Sequence, residues 1–222
     1  MATETKNHLR AQRHRHPVVM VLFLFLLVGG AQPVSAFDDI TVVGRKLSWK
    51  GHLATGWVGG NSNQMEAIIA KTNNATLQEI MREMLLDAQR LDVYFTHLDV
   101  TGIDTGTLST IRANIIEGDF MLSEPGARDA FWSAYGDILE DEAGPGAVTS
   151  FASDRLSMTG GYTAFEATFE TSLPGGGVVY KVMHLVDVGE SLYHIFELKA
   201  DSVKFRARKE EFENLLISVR YD

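Results

Sequence analysis

The chain contains no cysteine. That absence excludes disulfides, thiolate metal sites and thiol nucleophiles, and with them the lipid-bearing cysteine that bacterial lipoproteins carry at their processing point. Long apolar runs are missing too. The uninterrupted stretch Val18 to Val28 has eleven residues and rises about 16 Å as a helix, half of the roughly 30 Å hydrocarbon core of a bilayer. Positive charge is scarce: 20 Lys and Arg stand against 29 Asp and Glu. The sequence has no Gly-x-Ser-x-Gly elbow and no internal repeat. Gly175-Gly176-Gly177 lacks the Lys-Ser/Thr that a phosphate loop requires.

The short apolar run takes its meaning from its flanks. Lys6, Arg10, Arg13 and Arg15 precede it. Gly29-Gly30 and then Pro33-Val34-Ser35-Ala36 follow, with small residues at Val34 and Ala36. A basic start, a short apolar core and a small-x-small exit make a secretory signal peptide. Residues 1–36 are therefore predicted to be cut away between Ala36 and Phe37, leaving a single domain over 37–222 that is exported to a periplasm or the medium. Removing four basic groups and one acidic group leaves 16 against 28, a net charge of −12. Such a domain is repelled by nucleic acid and by anionic membrane surfaces. The expected partner is a protein or small ligand, with no nucleic acid, no cofactor and no stable membrane insertion after processing. At 186 residues the domain can bury roughly 70% of its unfolded surface and be stable without disulfides.

Hydrophobic patterning lays out the elements. Short strand-like pieces fill 37–60, and Gly59 to Asn63 read as a turn cluster. Glu66 to Lys71 fit strand or helix equally. Thr76-Leu-Gln-Glu79 is a capping box for a helix over 77–89, whose apolar stripe runs from Leu77 to Ala88. Strands are predicted over 91–100 and 108–116. A helix begins near Pro125 and ends near Glu142 before Gly144-Pro145-Gly146, with Phe131, Tyr135, Ile138 and Leu139 on its apolar face. A meander of four strands follows over 148–158, 162–172, 180–188 and 192–198, joined by short glycine-bearing turns. Last come a helix over 202–214, with Val203, Phe205, Phe212 and Leu215 inward, and a strand ending at Tyr221. Helices grouped around a mostly antiparallel sheet give the fold class α+β.

The C-terminal third carries a more specific pattern. Gly160-Gly161-Tyr162, then Ala164-Phe165-Glu166-Ala167 and Phe169, lead into a glycine-rich hairpin and Val178-Val179-Tyr180-Lys181-Val182. Gly189-Glu190-Ser191-Leu192-Tyr193-His194-Ile195, a charged helix and Leu215-Leu216-Ile217-Ser218-Val219-Arg220-Tyr221 complete it. Over roughly 148–222 this resembles the PsbP/Mog1-like superfamily. The N-terminal half matches less well, having no early Pro-x-x-Trp segment. The resemblance implies an α/β/α sandwich and a non-enzymatic accessory or binding role, and it brings no shared catalytic residues.

Candidate chemistry rests on few side chains. His184 and His194 flank the predicted Gly189-Glu190 turn. A three-residue loop sets them directly opposite one another, where they could share a cation; a two-residue loop puts them on opposite faces. His97 and Asp99 share a strand face, as a base and its orienting carboxylate would, although no nucleophile accompanies them. Glu140-Asp141-Glu142 end a helix where acidic groups oppose the dipole, which marks a cation or partner contact or a solvated surface. Trp132 lies off its helix's apolar stripe, so its exposure would mark a binding surface. The function expected is an exported, non-enzymatic accessory or binding protein of the cell envelope. The alternatives are an exported hydrolase with a scattered site and a structural or stress-related envelope protein. A pocket holding two or more of His97, His184 and His194 would favour the hydrolase. An exposed apolar groove without converging polar groups would favour the binding module.

Overall fold

Runs of β-branched and aromatic residues in the C-terminal half build the centre of the molecule. A computed structural model describes residues 37–44, 46–71, 78, 79, 81, 82, 85, 86, 89–97 and 108–222. The predicted signal peptide with Ala36, the capping Thr76 and Asp99 lie outside the described residues. The elements are β1 (Phe37–Val43), β2 (Ser48–Ala54), β3 (Trp57–Gly60), α1 (Ser62–Lys71), β4 (Val93–His97), β5 (Thr110–Glu117), α2 (Pro125–Ala143), β6 (Val148–Thr159), β7 (Tyr162–Ser172), β8 (Val178–Gly189), β9 (Leu192–Asp201), α3 (Phe205–Ser218) and β10 (Arg220–Tyr221). Of the described residues in the helix predicted over 77–89, residues 78, 79, 81, 82, 85 and 86 are helical and residue 89 lies in a turn.

The strands form two antiparallel sheets rather than one. The large sheet has the order β3-β4-β5-β9-β8-β7-β6, and the small one is β1-β2-β10. On one face of the large sheet, α3 and the small sheet bury Trp49, Phe95, Ile111, Val182, Phe196, Leu198, Phe212 and Leu215. On the other face, α2 buries Leu122, Trp132, Phe165, Phe169, Met183 and Leu185, while Met65 and Ile69 of α1 pack on Tyr94 nearer the β3 edge. This is the α/β/α sandwich that the C-terminal pattern implied. β7 and β8 are therefore buried on both faces over most of their length. No helix among the described residues is long and apolar enough to cross a membrane.

Several local expectations are corrected. Asn61 opens α1 instead of lying in a turn cluster: its Oδ1 accepts from Gln64 N–H at 3.0 Å, and Gln64 Oε1 accepts from Asn61 N–H at 2.9 Å. That reciprocal cap settles 66–71 as helix. α2 is rotated relative to the predicted stripe. Trp132 is 2% exposed and Ile138 is 52% exposed, because the helix sets Trp132, Tyr135 and Leu139 onto the sheet. Trp132 therefore marks core and not a binding surface. Val203, predicted inward, is 91% exposed, since α3 starts only at Phe205, whose ring stacks on Tyr180 at 4.3 Å. The last strand shrinks to two residues and joins β2 of the small sheet, because Leu215 and Leu216 stay on the buried side of α3.

The meander turns show how tightly backbone geometry is specified. Thr159 pairs with Tyr162, so Gly160-Gly161 form a two-residue turn with φ +60° and +90°, the type I′ geometry that glycine adopts freely. Between β8 and β9 the same positions are held by Glu190 and Ser191, at φ +56° and +58°. Neither side chain favours that region. Replacing them together, Glu190→Asn with Ser191→Gly, is expected to raise unfolding stability by about 1 kcal/mol, read as a higher urea midpoint at unchanged slope. An unchanged or lower midpoint would contradict it.

Candidate functional site

Four charges stand inside the apolar runs of the central strands: Arg112 in β5, Lys181 in β8, and Glu197 and Lys199 in β9. The register brings them together. Arg112 lies opposite Glu197 and Thr110 opposite Lys199 across β5 and β9, and Lys199 lies directly opposite Lys181 across β9 and β8. Strand alternation points them to the α2 face. From α2, Tyr135, Leu139 and Glu142 recur at spacings of four and three and so share one side of that helix. Thr110, Arg112, Lys181, Lys199, Leu139 and Glu142 line a cleft of about 450 Å³ between the C-terminal half of α2 and the strands, walled also by Tyr94, Leu108, Thr171, Leu173 and Val179, and Glu197 and Tyr135 join the cluster from behind that lining through Lys181 and Arg112.

The charges are only partly balanced. Lys181 Nζ reaches Glu142 Oε2 at 3.2 Å and Glu197 Oε1 at 3.4 Å, and Arg112 Nε stands 3.6 Å from Glu197 Oε1. The Tyr135 hydroxyl donates to Glu197 Oε2. Burial, then the Glu197 charge and hydrogen bond, keep that phenol protonated far above its ordinary range. Burial pushes the Glu197 carboxyl up, but the charges of Lys181 and Arg112 and the Tyr135 hydrogen bond outweigh it and hold the group below the ordinary carboxylate range. Lys199 is the exception. Among the described residues no carboxylate reaches it within ion-pair distance and no hydrogen bond holds it. Burial first, then the like charges of Lys181 and Arg112, push its ammonium below the ordinary lysine range against the weaker pull of Glu197 and Glu142.

The histidines singled out by sequence lie elsewhere. The β8–β9 register shifts at a bulge between Asp187 and Gly189, so His184 faces Phe196 and His194 faces Val186. Neither anticipated register is realised: the two histidines share a face but stand diagonally, on the α3 side. His184 Nδ1 contacts Glu166 Oε2 at 3.1 Å, and its Nε2 contacts Thr159 Oγ1 at 2.8 Å. Arg155 grips the same Glu166 and also Glu213 of α3. His194 is sealed among Trp49, Phe196 and Tyr221, with Nδ1 3.1 Å from the Tyr221 hydroxyl. Burial, then His184, lowers its pKa to about 3. The His97 ring packs edge-on against Trp57 at 5.3 Å. Among the described residues no group of three or more metal-ligating side chains comes together. Of the acidic triplet, Glu140 accepts from Thr149 N–H at 2.9 Å and Glu142 pairs with Lys181, so local contacts account for two of its three members.

The cleft therefore holds none of the predicted histidines, and its converging polar groups distinguish it from a plain apolar groove. Sequence reasoning passed over Arg112, Lys181 and Lys199. The available signal was charge inside the otherwise apolar runs of central strands, a placement that costs stability unless something answers it.

No protein-family model matches the sequence, and no curated protein matches it. Solved structures do. The chain is similar to cyanobacterial PsbP (CyanoP) from Synechocystis, at TM-score 0.53 and 13% identity, over 88% of this chain and 99% of that one. Weaker likenesses are to LpqN of Mycobacterium tuberculosis, a protein involved in cell envelope biogenesis (TM-score 0.46, 11% identity, 84% of this chain and 92% of that one), and to the Ran-binding protein Mog1p of Saccharomyces cerevisiae (0.45, 8%, 83% and 95%). The match to CyanoP assigns the PsbP/Mog1-like fold. It extends well beyond residues 148–222, to which the sequence resemblance was confined.

Proposed function

We propose that this chain is an exported, non-catalytic accessory protein of a cell envelope, and that it works by holding a ligand in the cleft beneath the C-terminal half of α2. The observation that carries the reading is the cluster of charges on central strands facing that cleft. Charges there cost stability through desolvation, and such perturbed, converging groups in a concavity mark functional sites. The volume suits a small molecule better than a protein surface, which needs a broader contact. Export is supported by the signal-like pattern of residues 1–36. Two measurements on native material test the reading. Intact mass spectrometry of the protein from its own cells is expected to give a chain starting at Phe37, and denaturing it is expected to release a small molecule in near-equal amount. A native chain starting at Met1 removes the export reading; material with no bound molecule and no uptake from a concentrated cell extract removes the binding reading.

A further inference from the structure

The unanswered charge in the cleft identifies the chemistry of what fills it. Lys199 sits directly across from Lys181 on one side and from Thr110 on the other. Like charges placed directly opposite in a sheet destabilise it, and this pair lies in a half-buried cleft. Arg112 adds a third cation. Among the described residues, Glu197 and Glu142 are the carboxylates that meet this cluster, and Lys199 reaches neither within ion-pair distance. Glu142 and Glu197 are already engaged with Lys181 and Arg112. Thr110 supplies the second, independent sign. It is 5% exposed and lines the cleft, yet its buried Oγ1 meets no hydrogen-bond partner among the described residues. A buried hydroxyl is normally satisfied, and an exception calls for a missing group.

Among the described residues, then, a lysine without a counterion lies beside a hydroxyl without a partner, a donor pair that an anion would satisfy. The lining also carries apolar side chains, Leu108, Leu139, Leu173 and Val179. We infer that the cleft binds a small amphipathic anion, its carboxylate or phosphate head on Lys199 and Thr110 with Lys181 and Arg112 behind, and its apolar body against the leucines. The inference rests on the cleft being the binding site proposed above. It also explains the site's cost to the free protein: the anion answers the Lys199 charge, so ligand-free stability is given up for binding.

The test uses protein expressed from the whole coding chain, at low ionic strength, with four probes by calorimetry: inorganic phosphate, hexyl phosphate, hexanoate and hexanol. Hexyl phosphate or hexanoate is expected to bind more tightly than phosphate, the head alone, and hexanol, the tail alone, is expected not to bind. Whichever anion binds more tightly shows whether the head is phosphate or carboxylate. Lys199→Met is expected to weaken that binding by about tenfold or more while raising the Tm of the ligand-free protein, because it removes the repelled charge and keeps the stem volume. Thr110→Val, nearly isosteric, is expected to weaken binding several-fold at equal or higher ligand-free Tm. A merely structural Lys199 would give the reverse, a lower Tm and unchanged affinity, and that result overturns the inference. Absence of binding by both amphipathic anions, or binding of hexanol as strong as theirs, overturns it too. Those outcomes leave the export and binding reading standing, because its own test reads the native N-terminus and the molecule released on denaturation.

Discussion

Glu197→Ala is expected to destabilise the protein by about 3–5 kcal/mol. The carboxylate is the shared acceptor beside the cleft: it answers Lys181 and Arg112 and takes the Tyr135 hydrogen bond. Removing it takes a counter-charge from Lys181 and Arg112 on the neighbouring strands and leaves a buried phenol without that acceptor. Breaking a buried charge arrangement by removing one partner is far more costly than replacing the whole of it. Glu197→Gln keeps the shape and an acceptor for Tyr135 but not the charge, and is expected to fall between wild type and Glu197→Ala. Adding Lys199→Met to Glu197→Ala is expected to recover part of the loss, since it removes one of the uncompensated charges; the coupling is read from a double-mutant cycle. Urea unfolding followed by fluorescence suits the measurement, because Trp49, Trp57 and Trp132 are all buried. A loss under about 1 kcal/mol, the ordinary worth of an exposed ion pair, would mean that water already screens these charges.

Acidification is expected to weaken the fold steeply through His194. An unfolded histidine takes up its proton near pH 6.5, whereas the folded one, sealed among aromatic rings, resists to about pH 3. Between those values the unfolded chain binds the extra proton. Stability therefore rises with pH across the window and is lost as pH falls, by up to about 1.4 kcal/mol per pH unit from this group. Carboxylates such as Glu166, whose pKa is lowered by His184 and Arg155 against the opposing effect of burial, add losses of the same sign. His194→Gln isolates the histidine, because the amide does not titrate while an acceptor for the Tyr221 hydroxyl remains. Going from pH 6.5 to 4.5, wild type is expected to lose about 2 kcal/mol more than the variant. Parallel stability profiles for the two proteins would disprove the assignment.

The two ion-pair systems lie on opposite faces of the same sheet and serve different ends. On the α3 side, Glu166 is almost fully buried and binds Arg155 through both oxygens while also meeting His184. Arg155 continues to Glu213, which ties the outer strand β6 to α3; on the α2 side of the same strand, Asp154 pairs with Arg128 at 3.0 Å. Every one of these charges finds an opposite partner. The cleft differs in Lys199, which no carboxylate among the described residues reaches within ion-pair distance, and that asymmetry makes it the functional candidate.

What the sequence by itself determined was the material of the fold. The β-branched meander, the helix after Pro125 and the helix near the C-terminus follow from periodicities of two and 3.6, which are local properties of the chain. The absence of disulfides and the signal-like start are equally local. Tertiary structure decided the rest. A one-residue shift at the Asp187–Gly189 bulge controls which residues His184 and His194 face, and no neighbouring residue announces it. The rotation of α2 that buries Trp132 and exposes Ile138 depends on the sheet it meets. The small sheet forms because β2 finds partners at both ends of the chain. The cleft is the clearest case: Arg112, Lys181 and Lys199 are separated by up to 87 positions, each an ordinary charge in its own strand. Only the pairing of β5 with β9 and of β9 with β8 sets them side by side, because electrostatic repulsion acts through space and not along the chain.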